Sequence, residues 1–415
     1  EKEMGVEEAT PAVEEELLDV SRWVPRWRAE EAPLNRLKLG REVILQGFHW
    51  ESHNHPWYGI VEAKASDISK AGFTGVWMPP ASHSIAPQGY LPSDLYCLDS
   101  RYGSESELRA CLGALHHKGV NAYADIVINH RSAPKKGRHG KWNDYSEQRM
   151  GWGEWAIACT NESFAGTGNH QTGDDFPAAP NIDHTNDVVR SDLKGWLSWL
   201  RDDVGYDGWR FDFAKGYAGK FVGEYVEASG PTFSVGEYWD TMSYSGSGLD
   251  GNQDGHRQRT IDWVDQTGGK SAAFDFTTKG ILQEAVRDGS YWRLADSRGK
   301  PAGVLGHWPA RAVTFLDNHD TGSTQSHWPF PGEKVAQGYA YILTHPGMPC
   351  VLWDHFFDWG DRLRGAITEL IAVRQRNCID SRCDVIIDKA DHGCYAARVG
   401  GRVAVRLGGG DWHPS

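Results

Sequence analysis

The sequence predicts an α/β protein: a (β/α)8 barrel with an irregular insert after its third strand and a C-terminal antiparallel β-domain. Three observations predict it. From Val43 onward, short apolar runs alternate with amphipathic helical stretches, and eight runs can be counted, the pattern of a parallel sheet built by right-handed crossovers. Four of those runs end in Asp, Glu or His where the chain turns polar, and the C-terminal strand ends are where such barrels carry their chemistry. The 415 residues also exceed the ~250 that one α/β barrel commonly takes, which leaves length for additions.

Taken in order, the first twenty residues hold eight acids (Glu1, Glu3, Glu7, Glu8, Glu14, Glu15, Glu16 and Asp19) against one Lys. Such a stretch reads as a solvated tail or helix outside the barrel, and residues 1–41 are assigned to an acidic N-terminal extension. Within it, Arg22-Trp-Val-Pro-Arg-Trp27 either packs on the barrel or presents a surface contact. The barrel is expected over 42–130 and 187–358. Its strands are predicted at 43–48, 75–80, 121–130, 208–213, 232–239, 271–278, 312–318 and 349–354. The helices between them are predicted at 57–72, 104–119, 188–205, 219–229, 255–267, 279–288 and 333–345. Periodicity stops at Arg131 and resumes near Asp187. The Gly-, Trp- and Asn-rich stretch between is too long for an ordinary connection, so 131–186 is read as an inserted domain. A helix at 361–379 and alternating segments at 384–388, 393–399 and 402–407 place a small antiparallel sheet within a C-terminal domain, 359–415.

The balance of 43 basic and 56 acidic residues, net −13, argues against a phosphate-backbone partner but not against a neutral polysaccharide. Nineteen Trp supply core bulk, and any surplus supplies stacking faces for flat apolar ligands such as sugar rings. The seven Cys, at 97, 111, 159, 350, 378, 383 and 394, show no C-x-x-C spacing and cannot all pair internally, which points to a reducing compartment. Cys378 and Cys383 are either bridged or unrelated. No run of about 18 apolar residues is present, so no membrane span is expected. The sequence opens at Glu1 without an apolar signal core, and a targeting peptide is expected to be removed or left out.

The chemistry centres on Asp207-Gly-Trp-Arg-Phe-Asp-Phe-Ala-Lys-Gly-Tyr217. Along a strand, Arg210 and Asp212 project to one side. A cation there favours the ionised carboxylate that a nucleophile needs; the alternative for an R-x-D alone is a structural ion pair. Glu237 in Thr232-Phe-Ser-Val-Gly-Glu-Tyr-Trp239, Asp320 in Ala312-Val-Thr-Phe-Leu-Asp-Asn-His-Asp320 and His130 in Asn121-Ala-Tyr-Ala-Asp-Ile-Val-Ile-Asn-His130 close three further strands. At Asp125-Ile-Val-Ile-Asn-His130, Gly208-Trp-Arg-Phe-Asp212, Val235-Gly-Glu237 and Phe315-Leu-Asp-Asn-His-Asp320 the chain resembles the alpha-amylase family, glycoside hydrolase family 13. The resemblance runs from about Val43 to the C-terminus. It is nearest the plant and green-algal, plastid-type members, through Ala179-Pro-Asn-Ile-Asp-His184, Gly236-Glu-Tyr-Trp-Asp240 and Asp317-Asn-His-Asp-Thr-Gly-Ser-Thr-Gln325.

That resemblance implies a TIM barrel and endo-acting, retaining hydrolysis of internal α-1,4 bonds of starch by two carboxyl groups. Asp212 would be the nucleophile and Glu237 the general acid/base, with Asp320 raising the Glu237 pKa and binding sugar hydroxyls. His130 and His319 would hydrogen-bond the sugar, Tyr90 would stack on it, and Lys215 and Trp239 would line the leaving-group side. Where plant members carry Gly-Trp-Trp-Pro for surface starch binding, this chain has Gly306-His-Trp-Pro309 and lacks one stacking face. For calcium, the resemblance implies the Asn129 side chain and the Asp174 and Gly216 carbonyls. Gln171 and Asn181 stand where secreted plant enzymes usually have Asp, leaving Asp174, Asp175 or Glu162 to supply charge. Calcium affinity depends on how many carboxylates a site supplies, and few carboxylates bind weakly, so binding is expected weak or absent, with Asn129 joining insert to barrel by direct hydrogen bonds. No organic cofactor is implied. A plastid stromal location and a C-terminal domain cut short at Ser415 are also expected. The competing readings are a transglycosylase or debranching relative, which differs in its loops, and a silent glucan-binding protein, which would lack a carboxylate.

Overall fold

The computed structural model describes residues 40–414. The acidic segment and the Arg22–Trp27 stretch lie outside the described residues. Eight parallel strands, β1 (Ile44–Gln46), β2 (Gly75–Trp77), β3 (Asn121–Ile126), β4 (Gly208–Phe211), β5 (Phe233–Gly236), β6 (Ala272–Phe274), β7 (Ala312–Phe315) and β8 (Met348–Leu352), pair in chain order. β8 then pairs with β1 and closes the barrel. These strands are buried almost throughout, as expected when helices cover a parallel sheet. That is why they read as continuous apolar runs.

The outer layer comprises α1 (Trp57–Ala71), α2 (Glu105–His117), α3 (Asp187–Trp199), α4 (Gly219–Ser229), α5 (Asp254–Gln266), α6 (Phe276–Asp288), α7 (Val335–Thr344) and α8 (Asp361–Arg376). Local chemistry starts several of them. Ser104 and Glu107 form a capping box on α2, and Asn186 accepts from the Val188 and Val189 amides at the start of α3.

Most strands stop a few residues short of their predicted ends, and two of these boundaries bear on the site. The run predicted as strand 271–278 is cut at Phe274, because the Asp275 carboxylate accepts the Thr278 amide at 2.8 Å and its hydroxyl at 2.6 Å and so caps α6. Thr277 and Thr278 have strand-like propensity, but the cap outweighs it. Likewise β3 ends at Ile126, and Val127 to His130 continue as a loop off the strand end. The residues that matter for chemistry therefore lie just past the ladders, where the backbone is free to turn.

Between β3 and α3, residues 131–186 form a hairpin (Lys135–Lys136 with Trp142–Asp144) and short turns. A main-chain bond fastens them to the barrel, the Ile182 amide donating to the Asn129 carbonyl at 2.9 Å, and the Arg131 amide ties the two ends of the insert together by donating to the Pro180 carbonyl at 2.9 Å. Buried Arg131 is clamped between the rings of Tyr145 and Trp152, at 4.6 and 4.8 Å from their centroids. After α8, strands β9 (Val385–Ala390), β10 (Cys394–Val399) and β11 (Val403–Gly408) make an antiparallel sheet. It docks on the barrel through Tyr395 on β10, whose hydroxyl meets His345 Nε2 at 2.8 Å. All seven cysteines are free thiols, and no described helix is long and apolar enough to cross a membrane.

Candidate active site

The register of β3, β4 and β5 assembles the site. Asp125 on β3 lies opposite Arg210 on β4, and Arg210 opposite Val235 on β5. One step beyond the ladders, the Asp212 amide donates to Ile126 carbonyl at 3.0 Å and the Glu237 amide to Phe211 carbonyl at 2.9 Å. Arg210 is fully buried, and its guanidinium meets three carboxylates. Nη1 donates to Asp212 Oδ1 at 2.6 Å and to Asp125 Oδ1 at 2.8 Å, while Nη2 lies 2.8 Å from Glu237 Oε1. The last approach is a charge contact without hydrogen-bond alignment, since neither atom has a hydrogen-bond partner. Arg210 also lies over the Trp77 ring at 4.7 Å.

Phe213 follows Asp212 in the left-handed region (φ 43°, ψ 46°), uncommon for a bulky residue. That turn aims its amide at Glu237 Oε2, 3.2 Å away. The Glu237 carboxyl is pushed up to about 8. Burial is the chief cause, Arg210 opposes it, and the charges of Asp212 and then Asp320 add to it. The expectation that Asp320 supplies the shift is corrected: burial leads and Asp212 ranks ahead of Asp320. Asp125 is also raised, by burial first and then by Asp212, against the pull of Arg210.

Asp125 was not singled out as a site residue from the sequence. Its Oδ2 accepts from Trp77 Nε1 at 3.0 Å and from the Tyr90 hydroxyl at 2.9 Å. A signal was present: an acid in the middle of an apolar strand is costly to bury unless paired. Tyr90 itself is half-buried, and its ring runs parallel to His319 (centroids 5.1 Å, 2°) and to Trp50 (6.2 Å, 9°). Three parallel rings thus line one side of the barrel mouth.

Asp320, with its side chain one-quarter exposed, stands at the mouth, its Oδ1 held by Gln325 Nε2 at 2.6 Å. His319 is buried, bonded to Gln46 through Nδ1 at 3.1 Å, and its Nε2 is 3.5 Å from Asp320; burial lowers its pKa to about 4. His130 departs from expectation. Its Nε2–H donates to the Tyr90 carbonyl at 2.8 Å, its Nδ1 accepts from Asn129 Nδ2 at 3.2 Å, and Phe176 of the insert stacks on the ring at 3.9 Å. Both nitrogens are used internally and the residue is 1% exposed, so His130 here ties the β2 loop to the β3 end and offers no free edge to a sugar. Lys215 bridges Asp174 of the insert (3.0 Å) and Asp240 (2.9 Å), and Trp239 stacks on Phe276 at 5.0 Å.

The residues expected around calcium are partly together. The Asn181 amide Nδ2 donates to Gln171 Oε1 at 2.9 Å and to Asp175 Oδ1, which also receives Asn161 Nδ2 at 3.3 Å. Asn181 Oδ1 is buried without a partner. Asn129 Oδ1 lies so close to Gly216 that an added Cβ would stand 2.0 Å from it. The Asp174 carboxylate goes to Lys215, and among the described residues Glu162 makes no side-chain hydrogen bond to this group. The direct bond from Asn129 to the insert is made by its carbonyl, which accepts the Ile182 amide, while its side chain goes to His130. A separate group, His49, Asp354 and Asp358, brings potential ligand atoms within 4.8 Å of one another. His49 Nδ1, however, accepts the Glu51 amide at 3.2 Å, so the neutral ring carries its proton on Nε2 and neither nitrogen turns a lone pair to a metal.

Known proteins resemble the chain in sequence and in overall fold. The family described as "Alpha amylase, catalytic domain" matches residues 56–237, and "Alpha-amylase C-terminal beta-sheet domain" matches 376–415. "Probable alpha-amylase 2" of Arabidopsis thaliana is 56% identical over 380 residues, 91% of each chain. "Alpha-amylase 3, chloroplastic" of the same plant is 48% identical over 376 residues, 90% of this chain and 42% of that one. A solved alpha-amylase from Malbranchea cinnamomea superposes with a TM-score of 0.64 at 19% identity, covering 89% of this chain and 94% of its own.

Proposed function

The chain belongs to the alpha-amylase family and hydrolyses α-1,4-glucan bonds; from that premise we propose that it cuts internal bonds of starch with retention, using Asp212 as nucleophile and Glu237 as general acid/base. The observation that carries the reading is one buried guanidinium, Arg210, facing both the Asp212 and the Glu237 carboxyls at the ends of adjacent strands. Glu237, raised, keeps a proton at neutral pH and gives it to the leaving glycosidic oxygen. Asp212, facing the Arg210 cation at 2.6 Å, attacks the anomeric carbon. Glu237, now a carboxylate, then takes a proton from the water that releases the sugar. Asp320 at the mouth binds sugar hydroxyls as the ring flattens toward the oxocarbenium-like transition state. Tyr90, with Trp50 and His319 parallel to it, offers the stacking face. Lys215 and Trp239 bound the leaving-group side. A silent glucan-binding protein is disfavoured because all three carboxylates are present.

The test combines product and variant. Soluble amylose should yield a ladder of short α-maltooligosaccharides by chromatography, with the α-anomer appearing first by proton NMR. Asp212→Asn should lower turnover by ~10⁴-fold or more with the fold intact. Prompt β-anomer, or an Asp212→Asn enzyme near wild-type rate, overturns the assignment.

For calcium, the oxygen donors Asn181 Oδ1, Asn129 Oδ1, Gln171 and Asp175 suit a hard cation. With one carboxylate among them, we propose weak binding whose role is to pin the insert beside the barrel. A plastid location is proposed as well. It is supported by the relative named chloroplastic and by seven unpaired thiols, and a full-length fluorescent fusion found outside plastids would refute it.

A further inference from the structure

Lys279 takes no part in the chemistry above, yet it is wholly buried one turn into α6. A buried ammonium is costly unless it is paired and hydrogen-bonded. Three of its contacts are with a single loop. Nζ donates to Gln283 Oε1 at 2.5 Å within its own helix, and lies 3.5 Å from Asp317 Oδ1, just past β7. It also sits over the Trp328 ring, 4.4 Å from its centroid, and 5.8 Å from that of Phe330. Asp317 opens loop 317–330, and Trp328 and Phe330 close it.

The loop is knitted around the same carboxylate. Asp317 Oδ1 accepts the Thr321 hydroxyl at 2.9 Å, and the Phe330 amide approaches Oδ1 and Oδ2 at 3.2 and 3.1 Å. Across the loop, the Trp328 amide donates to Thr321 carbonyl at 3.0 Å and the His327 amide to Asp320 carbonyl at 3.1 Å. Between these ties lie His319 and Asp320. The root of α6 is itself fixed, since Asp275 caps it and also accepts the Leu305 amide at 2.9 Å. The ammonium is therefore a fixed point between the two ends of the segment that presents Asp320.

We infer that Lys279 is a positioning residue for the reaction: its ammonium clasps the two ends of loop 317–330 and so holds Asp320 at the barrel mouth. An apolar side chain of equal volume would fill the core as well but would clasp neither Asp317 nor the Trp328 face. The inference rests on the reading that Asp320 serves the transition state. A misplacement of about 1 Å costs a reaction ~10²-fold, so loosening the loop should act on kcat.

The experiment compares Lys279→Met, Lys279→Met/Asp317→Asn, Trp328→Leu and Asp320→Asn with wild type. Readouts are kcat and KM on soluble amylose, thermal midpoint, and hydrogen exchange of peptides covering 317–330. Lys279→Met should lower kcat by ~10²-fold with KM within about 2-fold, and speed exchange in the loop but not in the barrel strands. The double variant, free of an uncompensated carboxylate, should regain the thermal midpoint but not kcat. A purely structural Lys279 predicts that both return, and that result overturns the inference, as does a folded Lys279→Met enzyme with wild-type kcat. Should Lys279→Met fail to fold, the half-buried Trp328→Leu decides: about a 10-fold loss of kcat with faster loop exchange is expected, and unchanged kcat overturns the inference. Asp320→Asn at wild-type turnover would sink the Asp320 reading instead, and the loop exchange of Lys279→Met would still report whether the clasp exists.

Discussion

Replacing Asp125 by Asn changes almost no volume and tests whether the third carboxylate on Arg210 organises the site. Asp125 accepts three bonds: Arg210 Nη1 at 2.8 Å on one oxygen, and Trp77 Nε1 at 3.0 Å with the Tyr90 hydroxyl at 2.9 Å on the other. An amide has one accepting oxygen, so either the guanidinium or the Trp77 and Tyr90 donors must face an NH2 group. Losing a charge-assisted bond costs about 1.5–3 kcal/mol, and leaving a buried donor unsatisfied costs about 1–3 kcal/mol. Against these stands relief from burying the Asp125 charge, whose cost is evident in its raised pKa. The net destabilisation worked from these contributions is about 1–3 kcal/mol, read as a lower urea midpoint at unchanged m-value. The orphaned groups hold the nucleophile and the stacking ring, so kcat should fall by ~10²-fold.

The pH dependence has a definite sign. A folded-state pKa raised above the unfolded one gives wild type stability that is complete below the unfolded value and lost as pH rises through the folded one. Asn does not titrate. The stability gap between wild type and Asp125→Asn should therefore narrow as pH rises from 5 toward 8, a range taken from ordinary and buried carboxyl values. An Asp125→Asn enzyme with wild-type kcat, or a gap that widens with pH, would refute the reasoning.

Two further predictions follow from the same geometry. Because Glu237 must be protonated to act and its pKa is raised, kcat/KM should hold through neutral pH and fall as pH rises past that pKa; a rate that already falls as pH is raised from about 5 to 6 contradicts the assignment. Calorimetric titration of chelator-treated protein should show calcium binding no tighter than about 10⁻⁴ M, with activity surviving chelation, and submicromolar affinity would refute the weak site.

Local patterning alone determined the strand and helix alternation and the rank of functional groups at strand ends. Arg210 on β4 with Asp212 one step past its end, and Glu237 one step past β5, are legible because side-chain direction along a strand alternates. The same logic overran at 271–278, where only the side-chain cap from Asp275 to Thr278 reveals the helix start. Other features depend on which strand lies beside which. Asp125 joins the site because β3 pairs with β4 in one register, and Lys279 meets Asp317 because α6 packs beside the end of β7. His130 shows the limit most clearly. Its position after β3 is readable, but whether its ring edges are free was decided by the Tyr90 carbonyl and by Phe176, residues 40 positions upstream and far downstream. The pKa of Glu237 is likewise tertiary. Neighbouring charges can be guessed from motifs, but burial, its chief cause, exists only once the barrel has closed around the side chain.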